Sequence, residues 1–249
     1  MSGVEEIRIE RPAMCAEYPQ LHAGVSTRMG GVSAGRFGLN LSYRVGDDPD
    51  HVTENRRRFF RAVGLPEACV AFPTQVHSAH VAHVLAPGAH DSCDALVTSR
   101  PEIALAVTVA DCVPVLLFDP RTGSKGAVHA GWRGSAVAIT RRTVDELHRL
   151  FDVEPADLIA FIGHAAGPCC YEVGPEVAGR FREEVRSVRD GRVYVDLKEE
   201  NRRQLIEAGL RTDRVEVNGR CTICDNALHS HRRDGQKSGR MIAVIGNSL

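Results

Sequence analysis

Val113-Pro114-Val115-Leu116-Leu117-Phe118, then Asp119-Pro120-Arg121-Thr122-Gly123, then Lys125-Gly126-Ala127-Val128-His129-Ala130 reads as strand, turn and strand. A hairpin centred between Arg121 and Thr122 puts Pro114 opposite His129. Cys112, two residues before Pro114, then projects on the same face as His129 and is its diagonal neighbour. Diagonal Cβ atoms lie up to about 7–8 Å apart, a span that two metal–ligand bonds bridge. A bulge would break this register, and Pro114, which has no N–H to donate, would then face an unpaired edge.

Around this hairpin, strands are expected at His22–Ser26, Val81–Leu85, Ile103–Val109, Leu158–Ile162, Val215–Val217 and Met241–Ile245. Asp48-Pro49 caps a helix that runs through Asn55 and Phe59 and ends at Gly64. A second helix is expected from about Ser135 to Leu150, with Val137, Val144, Leu147 and Phe151 on one stripe. A third starts at Pro175 and uses Val177, Phe181 and Val185; a fourth follows Asp196 and stops at Gly209. Strands and helices neither alternate strictly nor segregate. This order predicts an α+β chain with mixed sheets in one domain spanning residues 1–249.

Composition excludes several classes. The 249 residues are 43% hydrophobic and 25% charged, with a formal net charge of -1. That is globular composition, and near-neutral charge gives no reason to expect nucleic acid or an anionic membrane as partner. The apolar stretch from Ile103 to Phe118 is interrupted by Asp111 and Pro114 and is too short to span a bilayer. Met1 to Arg11 has no apolar core and does not read as a signal peptide, which leaves the cytoplasm as the expected compartment. Eight cysteines in such a chain are expected as thiols rather than disulfides. Cys221-Thr222-Ile223-Cys224 is a lone C-x-x-C without a second pair at zinc-ribbon spacing, for which redox or structural-metal roles stay open as the lesser reading, and adjacent Cys169 and Cys170 read as buried thiols.

His77, Cys112 and His129 stand out by their joint placement. Two imidazoles and one thiolate make a three-ligand zinc site with a fourth position left for water or substrate. Taken singly, each has a packing explanation, as a hydrogen-bonded core histidine or a small buried cysteine. Other chemistry sits in loops. Thr27-Arg28-Met29-Gly30-Gly31 places an arginine beside glycines that let backbone N–H groups approach an anion. Gly131-Trp132-Arg133-Gly134 offers an aromatic face for a flat base and, in Arg133, a partner for phosphate. His229-Ser230-His231-Arg232-Arg233-Asp234-Gly235 adds a cationic run that on its own would be a solvated turn.

Five motifs in order make a more specific pattern: Gln75-Val76-His77, Ala110-Asp111-Cys112-Val113-Pro114-Val115, His129-Ala130-Gly131-Trp132-Arg133-Gly134, Gly167-Pro168-Cys169-Cys170-Tyr171-Glu172-Val173 and Arg232-Arg233-Asp234-Gly235. From Thr27-Arg28 to Gly239-Arg240 the chain resembles the YfiH family. It is also called the laccase-domain or multicopper polyphenol oxidase family, and it includes the bacterial peptidoglycan editing factors. The resemblance implies α/β/β/α layers, a monomer, and a zinc site whose ligands map onto His77, Cys112 and His129. It also implies phosphorolysis of adenosine, inosine and S-methyl-5'-thioadenosine, and deamination of adenosine. His164 departs from the family pattern, where proline usually follows Ile-Gly; His229-Ser230-His231 stands where Phe-Ser-Tyr is common. Either change could alter substrate preference or add a ligand.

On this reading, zinc lowers the pKa of bound water to about 7 for attack on C6 of adenine, and Asp94 or Asp111 shuttles the proton. Asp111 has an equal claim to orienting the ligand loop. Arg28, Arg56 and Arg133 are the expected phosphate or ribose contacts, with Asn40 and Asn55 as hydrogen-bond partners and Gln75 and Trp132 beside the substrate. Three other classes stay open. A copper polyphenol oxidase would use the same ligands with a weak axial Met, but a laccase needs repeated His-x-His pairs and His229/His231 is the one present. A cysteine hydrolase, suited to peptidoglycan editing, would use Cys112 as nucleophile and His129 as base but leave His77 idle. A non-catalytic binding module leaves the glycine-flanked Arg, Trp and His residues without a use.

Overall fold

The structure, a computed structural model, describes residues 6–248. The first residues of the Met1–Arg11 segment therefore lie outside the described residues. The strands are β1 (Ile9–Glu10), β2 (Leu21–Ser26), β3 (Val70–Pro73), β4 (Val81–His83) and β5 (Gly88–His90). There follow β6 (Ala95–Thr98), β7 (Ala104–Val109), β8 (Val113–Phe118), β9 (Lys125–Ala130) and β10 (Ile159–Ile162). The last are β11 (Glu172–Val173), β12 (Arg186–Arg189), β13 (Arg192–Val195), β14 (Val215–Val217) and β15 (Met241–Asn247). The helices are α1 (Met14–Glu17), α2 (Pro49–Val63), α3 (Trp132–Ala136), α4 (Ile139–Phe151), α5 (Pro175–Ala178), α6 (Leu197–Glu207) and α7 (His231–Asp234).

Two six-stranded mixed sheets, ordered β1-β2-β15-β7-β3-β5 and β14-β10-β8-β9-β6-β4, carry the molecule. Their facing sides share one core, in which Val25, Leu105, Val107 and Ala243 of the first meet Leu116, Phe118, Ala127 and Phe161 of the second. The outer face of the second sheet packs Val115, Leu117 and Val128 against Ile139, Val144 and Leu147 of α4 and Leu205 of α6. Ala106 and Val244 on the outer face of the first sheet meet Phe59, Phe60 and Val63 of α2. These four layers are the expected α/β/β/α arrangement. Strands buried on both faces explain why β7, β8 and β15 are nearly continuous apolar runs. Among the described residues no helix is long and apolar enough to cross a membrane.

The β8–β9 hairpin has the predicted register, with Pro114 opposite His129. Pro114 does not face a sheet edge, however, because β8 lies between β9 and β10. It is tolerated because pairing with β10 ends at Val115–Ile162, one step earlier. Gly163 still donates its N–H to the Pro114 carbonyl, so the only missing donor falls where the ladder has already stopped.

Helix α2 is capped as expected: Asp48 accepts from the Asp50 N–H, and Gly64 closes the C-terminus with φ of 89°. The helix expected over Ser135–Leu150 is instead two. Gln204 of α6 donates to the Ser135 carbonyl that a continuous helix would offer to Ile139, and Ala138 turns left-handed between α3 and α4. The helix expected from Pro175 ends after one turn, at Ala178. Phe181 and Val185 nevertheless reach the same core from the irregular chain beyond it.

His164 and His229 are fully buried. Burial, with Arg220 near His164 and Arg28 near His229, pushes each imidazole down to about 3. Among the described residues, neither joins a group of three or more potential metal ligands. Their depressed values make them acid-labile. Below the unfolded pKa of about 6.5 the unfolded chain takes up these protons and the folded chain does not, so stability is lost as pH falls from there toward 3. Each histidine contributes a slope of about 1.4 kcal/mol per pH unit in that window. His229→Phe is expected to remove one proton's worth of slope from the unfolding free energy measured by urea denaturation between pH 5 and 6.5. An unchanged slope would contradict the buried neutral imidazole.

Candidate active site and metal centre

His77, Cys112 and His129 come from three different places in the fold. His129 lies near the end of β9, Cys112 immediately before β8, and His77 in the loop between β3 and β4. Their ligand atoms all lie within 4.8 Å of one another. The two imidazole rings stand edge to face, with centroids 4.9 Å apart. Gly131 is required beside them: a Cβ there would meet His77 Cδ2 at 3.0 Å and Cys112 Sγ at 3.1 Å.

Asp94, fully buried just before β6, organises this convergence. Its Oδ1 accepts from the His77 N–H (3.0 Å) and from His129 Nδ1 (2.8 Å). Its Oδ2 accepts from the N–H groups of Val76 and Ser78 and from the Ser78 hydroxyl. Collecting three successive N–H groups on one carboxylate holds His77 in a left-handed conformation with φ of 60°, a strained state for a non-glycine residue. The bond to Nδ1 leaves His129 Nε2 as the ring nitrogen free to bind a ligand. Although burial opposes it, the donors of His129 and Ser78 hold the Asp94 carboxyl well below the usual carboxylate range. Both oxygens of Asp94 are thus engaged in holding the His77 loop and the His129 ring.

The triad's electrostatics suit a cation. Burial disfavours the Cys112 thiolate, yet the charges and hydrogen bonds of His129 and His77 bring its pKa down to about 6. Burial also opposes charging of His129, but the Cys112 thiolate and Asp94 raise it to about 9. A proton on His129 beside a thiolate is what a metal ion displaces when it binds. Two imidazoles and a preformed thiolate, one histidine fixed by a carboxylate, fit zinc or copper.

Asp111 ties the loop before Cys112 to two other segments. Its carboxylate accepts from the Thr222 hydroxyl and from the Arg232 N–H, both at 2.6 Å. The residue turns left-handed with φ of 86° immediately before Cys112. Three expected substrate contacts instead have structural occupations. Asn40 donates to the Ser42 carbonyl and to Asp47, and accepts from the N–H groups of Ser42 and Arg240. Gln75 is tied to Thr108 through both ends of its amide. Arg56 is buried, bonded to Glu67 at 2.6 Å and to the Leu41 carbonyl, and stacked on Phe72. Asn55 likewise supports the loop from Val32 to Asn40.

Trp132 and Arg133 remain at the site. Trp132 follows Gly131 directly and lines a cavity of about 710 Å³ with Tyr171, Glu172, Arg192 and Arg232. Arg133 is exposed and stacks over Trp132 at 4.4 Å. Burial and the nearby Cys112 charge push Tyr171 up to about 12, which ties this cavity electrostatically to the triad. A second cavity, of about 640 Å³, is lined by Arg44, His231, Lys237 and Arg240. Arg240 lies close enough to feel the charges of Cys112 and Asp111. Arg28 faces buried His229 and Asp234. Among the described residues, Arg28, Arg133, Arg232 and Arg240 have no carboxylate within 4.0 Å. Tyr171, inside one of the five motifs, and Arg240, at the end of the resembling stretch, were not among the expected site residues.

Cys169 and Cys170, expected as buried, are exposed and half-buried, and they lie against Cys221 and Cys224.

The family model described as "Multi-copper polyphenol oxidoreductase laccase" matches residues 22–248. A Deinococcus radiodurans protein named purine nucleoside phosphorylase is 43% identical over 226 residues, covering 89% of this chain and 87% of the relative. The Geobacillus stearothermophilus purine nucleoside phosphorylase YlmD is 38% identical over 244 residues, covering 90% and 89%. The crystal structure of that YlmD superposes with a TM-score of 0.88 at 36% identity, over 93% of each chain. The Bacillus licheniformis hypothetical protein YfiH gives a TM-score of 0.87 at 34% identity, over 93% of this chain and 94% of that one. With its motifs, its layers and these relatives in agreement, the chain belongs to the laccase-like YfiH/YlmD family of purine nucleoside phosphorylase-like proteins.

Proposed function

We propose that this chain is a zinc-dependent purine nucleoside enzyme. It cleaves adenosine, inosine and S-methyl-5'-thioadenosine with phosphate, giving the base and the corresponding sugar 1-phosphate, and it deaminates adenosine to inosine. The observation that carries this reading is the convergence of His77, Cys112 and His129 beside cavities lined by aromatic and cationic side chains. Zinc held there supplies Lewis acidity and lowers the pKa of water to about 7. Trp132 and Tyr171 offer flat faces for a purine, and Glu172 a hydrogen-bond acceptor. Arg240, Lys237 and His231 offer charge-assisted donors to phosphate beside the ribose, with Arg133 at the mouth. Asp94 and Asp111 keep the ligand-bearing loops in place. The named relatives favour nucleoside chemistry over the oxidase reading.

Zinc is favoured over copper by the donor inventory. Among the described residues only one group of potential ligands contains histidine, whereas oxidation at several coppers needs clustered imidazoles. All eight cysteines are free, which suits a reducing cytoplasm. The test is elemental analysis of protein purified without added metal, together with a nucleoside screen with and without phosphate. The expected result is zinc, phosphate-dependent release of adenine and hypoxanthine, and phosphate-independent formation of inosine from adenosine. Copper with turnover of phenols, and no base release, would sink the proposal.

A further inference from the structure

Outside the active site, Cys169, Cys170, Cys221 and Cys224 bring their sulfur atoms within 4.8 Å of one another. We propose that these four thiolates form a second metal centre, a zinc tetrathiolate that clamps the 163–171 loop to the 218–230 loop. Zinc–sulfur bonds of about 2.3 Å in a tetrahedron set the sulfurs about 3.8 Å apart. Cys169 Sγ and Cys224 Sγ stand at 3.8 Å.

Cys221 is the cysteine set up as a thiolate; burial and the neighbouring sulfurs hold Cys169 and Cys170 up as thiols, whose protons a metal ion would displace. The Gly167 N–H donates to Cys221 Sγ at 3.1 Å. Burial works against the Cys221 thiolate, but N–H groups of Cys224, Gly167 and Ile223 bring it down to about 7. Gly167 has no room for a side chain, since a Cβ would meet Cys221 Cβ at 3.0 Å and both the Cys169 and Cys221 sulfurs at 3.3 Å. Buried Lys198, anchored on the carbonyls of Asn218 and Arg220, places a positive charge near Cys221, Cys169 and Cys224. That charge offsets part of the net negative charge that four thiolates impose on one zinc. Exposed Cys169 and Cys224 leave an entry path from solvent.

The two loops already touch, and what they carry gives the clamp its use. Ala165 bridges to Cys221, and the Thr222 N–H donates to the Ala165 carbonyl. Thr222 holds Asp111, next to Cys112, through its hydroxyl. Tyr171, directly after Cys170, lines the cavity beside Trp132. Zinc at the four cysteines would therefore fix the walls of the active site from outside without touching substrate. Sulfur-only tetrahedral donors select zinc or iron–sulfur chemistry, and four cysteines around a single point suit one mononuclear ion.

The experiment counts zinc in Cys112→Ala protein, whose active-site ligands are broken. One equivalent per chain is expected to remain, and to disappear when Cys221→Ser and Cys224→Ser are added. Cobalt exchanged into Cys112→Ala protein is expected to show an intense thiolate-to-cobalt charge-transfer band. Because the serine variants can fail to fold, alkylation of otherwise native protein supplies an independent reading. All four cysteines are expected to resist iodoacetamide until a chelator strips the zinc. Immediate alkylation of all four with no zinc released, a disulfide among them, or bound iron in place of zinc would each overturn the proposal. The count is unaffected if the active site proves to hold another metal, so the two readings fail separately.

Discussion

Cys112→Ala, His77→Ala and His129→Ala are each expected to lose active-site metal and nucleoside turnover together. Activity should fall by about three orders of magnitude or more, as when one member of a group that acts as a unit is removed. The expectation rests on geometry that uses all three residues: their donor atoms meet within 4.8 Å, and one carboxylate holds two of them. A cysteine nucleophile predicts otherwise. With Cys112 and His129 as nucleophile and base, exposed His77 would be expendable, and His77→Ala would keep substantial activity. Iodoacetamide would then inactivate metal-free protein in proportion to Cys112 labelling. Zinc content by elemental analysis, measured beside adenosine and inosine turnover for each variant, separates the two cases. Turnover by a His77→Ala protein shown to hold no active-site metal would falsify the metal reading.

The hairpin at the centre of the site was legible because an apolar run, a turn carrying proline and glycine, and a second buried run agree locally. Its register followed from the turn alone. The strands β3 and β6 were not legible: they are short runs buried by other strands, and four residues carry too little periodicity. The β12–β13 hairpin was legible and overlooked. Asp190-Gly191 is a two-residue turn with both φ angles positive, but arginines flank it on an exposed ribbon and masked the apolar pattern.

Among candidate site residues, the His77–Cys112–His129 group could be picked out by chemistry because two imidazoles and a thiolate make a recognisable donor set. Asn40, Gln75 and Arg56 are harder to assign by chemistry alone. Amides and guanidinium serve a backbone as readily as a ligand, and here they bind Ser42, Thr108 and Leu41. The four-cysteine group escaped because its halves lie on loops joined only by tertiary structure; Cys169 and Cys224 are 55 positions apart. Spacing rules cannot pair such halves before the fold is known.

Asp94→Asn is expected to lower active-site zinc affinity by about 10–100-fold, the scale for losing a partner that orients a metal ligand. Both carboxylate oxygens accept: one from His77 N–H and His129 Nδ1, the other from Val76, Ser78 and the Ser78 hydroxyl. An amide has only one oxygen, so its NH2 must face donors on one side or the other. Turned toward His129, it favours the tautomer that protonates Nε2 and removes that ligand. Turned toward Val76 and Ser78, it opposes two backbone N–H groups and frees the strained His77 loop. Asp94→Ala leaves the same buried donors with nothing and should cost roughly 3–5 kcal/mol of stability in urea denaturation. Zinc titration of the Asn variant against a competing chelator, with turnover followed across the same titration, distinguishes positioning from proton transfer. If Asp94 positions the ligands, saturating zinc restores most of the turnover. If Asp94 carries the proton, turnover stays low in fully zinc-loaded protein, and the positioning role falls.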